Sequence, residues 1–131
     1  MKKRTKIICS LLLVGALIFS LLSYFTVRVP TGEIIAVFQY DDIDIMEPLS
    51  DEDAETVRKI FNGKILSSES PSCGFGEDVA LVVGNNTYCI ACDTCGVVYL
   101  AEKDKYFYLS DKENETLRTL LGEYGFVFPC L

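Results

Sequence analysis

An uncharged apolar run near the N-terminus constrains this chain more than any other feature. Residues 7–27, IICSLLLVGALIFSLLSYFTV, contain no charged residue and no proline. As an α-helix this run is about 31 Å long, which matches the roughly 30 Å hydrocarbon core of a bilayer. Because unpaired backbone groups are costly in lipid, the run is predicted to be a single transmembrane helix.

The charges on either side of the run predict its orientation. Four cations (Lys2, Lys3, Arg4 and Lys6) precede it, and all 19 acidic residues follow it. Because the positively charged flank of a membrane helix stays in the cytoplasm, the chain beyond the run is expected outside the cytoplasm. The predicted organisation is a cytoplasmic basic segment at 1–6, a signal anchor at 7–27, a juxtamembrane segment with a first strand at 28–48, and an exported domain at 49–131. The alternative is secretion after signal peptide cleavage, for which residues 21–23 form a poor site.

The part beyond the run is strongly acidic. Four of the 12 Lys and Arg residues lie before it, so eight remain against 19 acids, a formal charge of −11. Such a surface is unsuited to nucleic acid and is repelled by anionic lipid headgroups, so we predict no nucleic-acid partner and a membrane contact through the N-terminal helix alone. An unidentified extracytoplasmic protein is the expected partner. The densest acidic run lacks the ligand spacing of a calcium loop and is predicted to be solvated: Asp41, Asp42, Asp44 and Glu47.

Residue patterns predict an α+β domain, with an antiparallel sheet of four to six strands packed by two amphipathic helices. Strand patterns occupy residues 32–40, 64–66, 78–83, 88–92, 96–100 and 105–109. With Asn85 and Asn86 as a two-residue turn, Val83 lies opposite Tyr88.

The two predicted helices begin at Ser50 and Ser110. Each serine is followed three positions later by an acidic residue, which is typical of a capped helix start. The starts also match each other, with six identities over 13 positions at a spacing of 60 residues. We prefer shared capping chemistry to an internal duplication, because any capped helix needs these residues. The apolar faces of the helices are predicted to pack on the sheet, bringing Ile60, Phe61, Leu117 and Leu121 onto Val79, Leu81 and Ile90.

Five cysteines lie beyond the apolar run, and exported proteins can keep disulfides. The hairpin register sets Cys95 opposite Gly76, so Cys73 to Cys95 is the first predicted bridge. Cys92 shares the core face with Ile90, and Cys130 follows the second helix, so Cys92 to Cys130 is the second bridge. Cys89, the competing partner, is left as a small packed thiol on the opposite face.

The spacing Cys89, Cys92, Cys95 is the one feature with chemical potential, because thiolates spaced in this way can bind soft metals or exchange disulfides. In a strand Cys89 and Cys92 point to opposite faces, so only Cys92 and Cys95 could act together. The chain has no histidine, which removes the commonest general base. We predict no catalytic residue, no cofactor and no metal ligand. The expected function is a membrane-anchored, disulfide-supported binding or structural module, and the alternative is a thiol-active redox or metal-binding protein.

Three cysteine motifs resemble those of a group of small exported bacterial proteins of unknown function. They are CGF-x-ED from Cys73, C-x-x-C-D-x-C from Cys89, and YG-x-x-FPC from Tyr124. The resemblance covers roughly residues 49–131 and implies no activity. Members of the group usually have proline after the last clustered cysteine, where this chain has Gly96.

Overall fold

The computed structural model describes residues 2–130 and has an α+β fold, which confirms the predicted fold class. The helices are α1 Lys2–Phe25, α2 Asp51–Phe61 and α3 Asp111–Glu123, and one turn of 3-10 helix spans Ala101–Lys103. The strands are β1 Ile35–Tyr40, β2 Ile43–Pro48, β3 Val79–Val83, β4 Asn86–Ile90, β5 Val97–Leu100 and β6 Lys105–Tyr108. They form one antiparallel sheet in the order β2-β1-β3-β4-β5-β6.

Both predicted helix starts are confirmed by their caps. The Ser50 hydroxyl accepts a hydrogen bond from the Asp53 amide at 3.2 Å. The Ser110 hydroxyl accepts from the Glu113 amide at 3.2 Å, and the Glu113 carboxylate accepts from the Ser110 amide at 2.9 Å. This reciprocal pair is a complete capping box, which satisfies backbone donors that the first helical turn leaves free.

The predicted packing of α2 and α3 on the sheet is also confirmed. Phe61, Leu117 and Leu121 have no exposed surface, and Ile60 is 7% exposed. They share one apolar cluster with the predicted sheet residues Val79, Leu81 and Ile90. Aromatic rings fill the centre of this core, where the Phe61 ring centroid lies 5.1 Å from that of Phe107.

Strand β2 was not predicted, because its acidic residues obscure the alternation. Ile43 and Ile45 pack against the core, whereas Asp44 and Met46 are exposed on the other face. The acids of this segment lie at the surface, at the edge of the sheet. The predicted strand at 64–66 was wrong, because it forms only an isolated bridge between Ile65 and Thr26.

The predicted register of the β3–β4 hairpin was wrong by two residues. Val83 lies opposite Asn86, so the two-residue turn is Gly84-Asn85 rather than Asn85-Asn86. Gly84 has a φ of +57°, which glycine adopts without strain at the first turn position. A shift of two residues leaves every side chain on its predicted face, because side chains alternate with a period of two.

Helix α1 passes directly into the domain. It ends at Phe25, and Val27, the last residue of the predicted span, is 1% exposed in the core. The Val27 amide donates to the Lys64 carbonyl at 2.8 Å, and the Leu66 amide donates to the Phe25 carbonyl at 2.8 Å. Strand β1, predicted in the segment 28–48, lies within the same sheet as the strands of 49–131.

Candidate functional site

The paired cysteines gather at one end of the sheet, around the loop 91–96 between β4 and β5. Disulfides join Cys73 to Cys95 and Cys92 to Cys130, with Cα separations of 6.9 and 5.1 Å. These are the two pairs predicted from the sequence. Within residues 2–130 the free cysteines are Cys89 and Cys9. The pairing ties the long segment before β3 and the C-terminal segment to the same loop.

Helix α3 holds this loop through the side chain of Arg118. Its guanidinium donates to the carbonyls of Ala91, at 3.4 Å, and of Asp93. It also lies over the Phe128 ring, 4.6 Å from the ring centroid. Burial lowers the pKa of Arg118, although the carboxylate of Asp93 opposes that change. Through these bonds α3 fixes the loop that carries Cys92 and Cys95.

Gly96 sets the shape of the loop where it enters β5. Its φ is +64°, and a β-carbon added there would lie 3.4 Å from the Asn114 side chain. Proline cannot adopt this backbone conformation, because its ring holds φ near −65°. The loop conformation of this chain therefore excludes proline at this position and favours glycine.

Asp93 is a site residue that the sequence analysis missed. Its carboxylate accepts a hydrogen bond from the Cys95 amide at 3.0 Å. The ligand atoms of Cys73, Asp93 and Cys95 lie within 4.8 Å of one another. The pair that the cysteine spacing indicates, Cys92 with Cys95, is not brought together chemically, because each is bonded to another cysteine. While Cys73 and Cys95 are joined, neither sulfur is a thiolate, and this group cannot bind a metal through them.

Cys89 lies on the sheet face opposite the helices and is 1% exposed. Burial, together with the nearby carboxylates of Glu77, Glu102 and Asp78, raises the pKa of its thiol to about 11. The thiol is therefore protonated at neutral pH, and the thiolate that attacks disulfides is scarce. Its position matches the packed thiol expected from the sequence.

The segment 67–77 crosses the same sheet face near Cys89. The Phe75 ring packs on Tyr99 and Tyr106, with centroid distances of 5.9 and 5.6 Å. Ser67 exchanges two backbone hydrogen bonds with Tyr106, at 2.7 and 2.8 Å. The Cys73 to Cys95 disulfide fixes the far part of this segment, so it acts as a cover over part of the sheet.

The other distinctive feature lies at the N-terminus. Helix α1 is apolar and long enough to cross a membrane, and none of the residues Lys2–Phe25 is buried. Fold and cysteines together define a small disulfide-stabilised α+β protein with an apolar N-terminal helix. The chain matches no protein-family model, no curated protein and no solved structure.

Proposed function

We propose that this chain is a single-pass membrane protein whose disulfide-stabilised domain acts as a binding or structural module outside the cytoplasm. The observation that carries the proposal is the contrast between α1 and the domain. Leu11 and Leu12 in α1 are 67% and 68% exposed, whereas the domain buries most of its large apolar side chains. A bilayer removes such apolar surface from water, which is favourable by about 25 cal/mol per Å².

The charges and the disulfides support the proposed orientation. The four cations before residue 7 favour a cytoplasmic N-terminus, because translocation of positive charge is disfavoured. The two disulfides belong to the domain at the other end of the helix, and disulfides persist mainly in oxidising compartments. Both features favour the same arrangement, with the domain outside.

The cysteine geometry favours a module over thiol chemistry. Cys92 and Cys95 would need to share a disulfide to act as a redox pair, but each is bonded to a distant cysteine. The free thiol of Cys89 is buried and has a raised pKa. The charge of −11 beyond the helix favours a protein partner over nucleic acid.

A site-specific protease tests the topology. A recognition sequence inserted between Glu69 and Ser70, which are both exposed, should be cut by protease added outside intact cells. All four bridged cysteines follow Ser70, so no disulfide joins the two fragments and denaturing electrophoresis separates them. In the matched control the same sequence is inserted before Lys2 and should be cut only after permeabilisation.

Two further observations decide between anchor and cleaved forms. The anchored protein should stay with membranes after carbonate washing and keep its full mass. A soluble form that starts near Ser23 or Tyr24 would show a signal peptide instead. Cutting at the N-terminal insertion in intact cells, with protection of the insertion after Glu69, would overturn the proposed orientation.

A further inference from the structure

The last turn of α1 is held beside the start of β6. The Leu66 amide donates to the Phe25 carbonyl, and Ser67 pairs with Tyr106 in β6. These pairings join helix and domain without a flexible linker. The headgroup layer is only about 5–8 Å thick on each side of the hydrocarbon core. If α1 spans a bilayer, the surface beside Phe25 therefore lies at the depth of the headgroups.

Aromatic, apolar and basic side chains surround this junction. Tyr24 and Phe25 pack edge to face, with ring centroids 5.1 Å apart, and Ile65 is 75% exposed. Lys103 and Lys105 line a cavity of about 320 Å³ together with Tyr24 and Phe25. These five residues are named the juxtamembrane patch. Its composition matches that of an interfacial belt, in which aromatic and basic residues lie at headgroup depth.

The two lysines are unusual in so acidic a domain. Eight cations stand against 19 acids beyond residue 27, yet two of the eight line this one cavity. Within residues 2–130, the ion pair present is Lys64 with Glu113, so neither patch lysine is in direct contact with a carboxylate. Glu102 lines the same cavity, and its carboxylate accepts a hydrogen bond from the Thr87 amide at 2.8 Å. The Lys105 ammonium donates to the Ser68 hydroxyl.

We infer that the juxtamembrane patch binds the headgroups of anionic phospholipids and holds the domain against the membrane surface. This inference rests on the proposed insertion of α1. Ammonium groups pair with headgroup phosphates, and lysines beside a membrane helix are attracted to any leaflet that contains anionic lipids. The sequence predicted repulsion from the overall charge, whereas the cavity beside the helix is lined by two lysines and one acidic residue, a formal charge of +1.

Introduced tryptophan can report the position of the patch, because the chain has none of its own. The full-length Ile65→Trp protein is reconstituted in vesicles of phosphatidylcholine with phosphatidylglycerol, brominated in the acyl chains near the headgroups. The indole at position 65 should be quenched. The matched control is Val127→Trp, also at an exposed position, near the cysteine loop at the opposite end of β5. Its indole should not be quenched.

Charge variants test the headgroup specificity. In the Ile65→Trp background, Lys103→Gln with Lys105→Gln should lower the quenching by about half in vesicles with phosphatidylglycerol and leave it unchanged in phosphatidylcholine alone. Lys112→Gln, an exposed site just beyond the other end of β6, should have no effect. Equal quenching in both lipids, unaffected by the lysine substitutions, would overturn headgroup binding.

The outcomes also separate this inference from the proposed function. Protein that fails to float with vesicles contradicts membrane insertion itself. Protein that floats but shows no quenching at position 65 keeps the anchor and overturns the patch. Circular dichroism of each variant in vesicles verifies that the domain is folded before the quenching is compared.

Discussion

At the scale of single residues, Cys89 shows how the surroundings change thiol chemistry. The pKa of about 11 means that at pH 8 about one thiol in a thousand is ionised. We expect iodoacetamide at pH 8 to leave Cys89 unmodified in the folded protein and to modify it fully in urea. Mass spectrometry of the peptides measures both. Rapid alkylation without urea would instead show that Cys89 is an accessible, reactive thiol.

Glu113 should contribute a pH-dependent stabilisation. The hydrogen bond from Lys64, at 2.5 Å, lowers the pKa of the Glu113 carboxyl, and the Ser110 amide lowers it further. Because the folded-state pKa is the lower one, this stabilisation is complete above the unfolded value of about 4.3 and is lost as the pH falls through the folded value.

The substitution Glu113→Gln tests that dependence. It should lower the free energy of unfolding at pH 7 by about 0.2–1 kcal/mol, since both side chains are partly exposed to solvent. The difference from the unsubstituted protein should shrink between pH 7 and the lowest pH at which the domain stays folded, because the carboxylate becomes protonated in both states. Urea denaturation at the two pH values measures it, and a difference of equal size at both would exclude the ionic contribution.

At the scale of elements, the cap of α3 is formed by residues close in sequence, whereas its apolar face depends on packing against the sheet. Leu121 has no exposed surface and belongs to the central cluster, so Leu121→Ala should cost about 2–5 kcal/mol of unfolding free energy. Thr119→Ala, at an exposed position two residues earlier, is the control and should change the stability by less than about 0.5 kcal/mol. Similar denaturation midpoints for the two variants would contradict the packing of this helix.

Elements with a local signal could be predicted, and those that depend on a partner could not. Ser50 and Ser110 fix the helix starts because the cap is formed within four residues. Strand β2 is recognisable only from its pairing with β1, since its acids lie at the edge of the sheet. The turn at Gly84 was misplaced because Asn85 fits two turn positions. The pairing of β3 with β4 in the folded sheet decides between them. Asp93 was missed because its neighbour Cys73 is distant in sequence.

At the scale of the whole molecule, α2 and its hairpin resemble α3 and its hairpin in a way that helix capping does not explain. Arg58 of α2 donates to the carbonyls of Pro30 and Gly32, ahead of β1. Arg118 of α3 donates in the same way to two carbonyls of the loop ahead of β5. The strand order is symmetric about the β3–β4 pair, so each helix follows an outer hairpin on its own side. These matches favour the duplication that the sequence analysis placed second.

The two disulfides should differ in how much they stabilise this molecule. They close segments of 38 and 22 residues. Loop entropy alone makes the longer one, Cys92 to Cys130, more stabilising by only about 0.5 kcal/mol. Packing adds to this difference, because both cysteines of the longer bridge contact the apolar core. Replacing Cys92 and Cys130 by alanine should therefore cost about 2–4 kcal/mol, and more than replacing Cys73 and Cys95. Denaturant unfolding of the two double variants measures the difference. A larger loss without Cys73 and Cys95 would mean that the cover 67–77 stabilises the domain more than its C-terminal segment does.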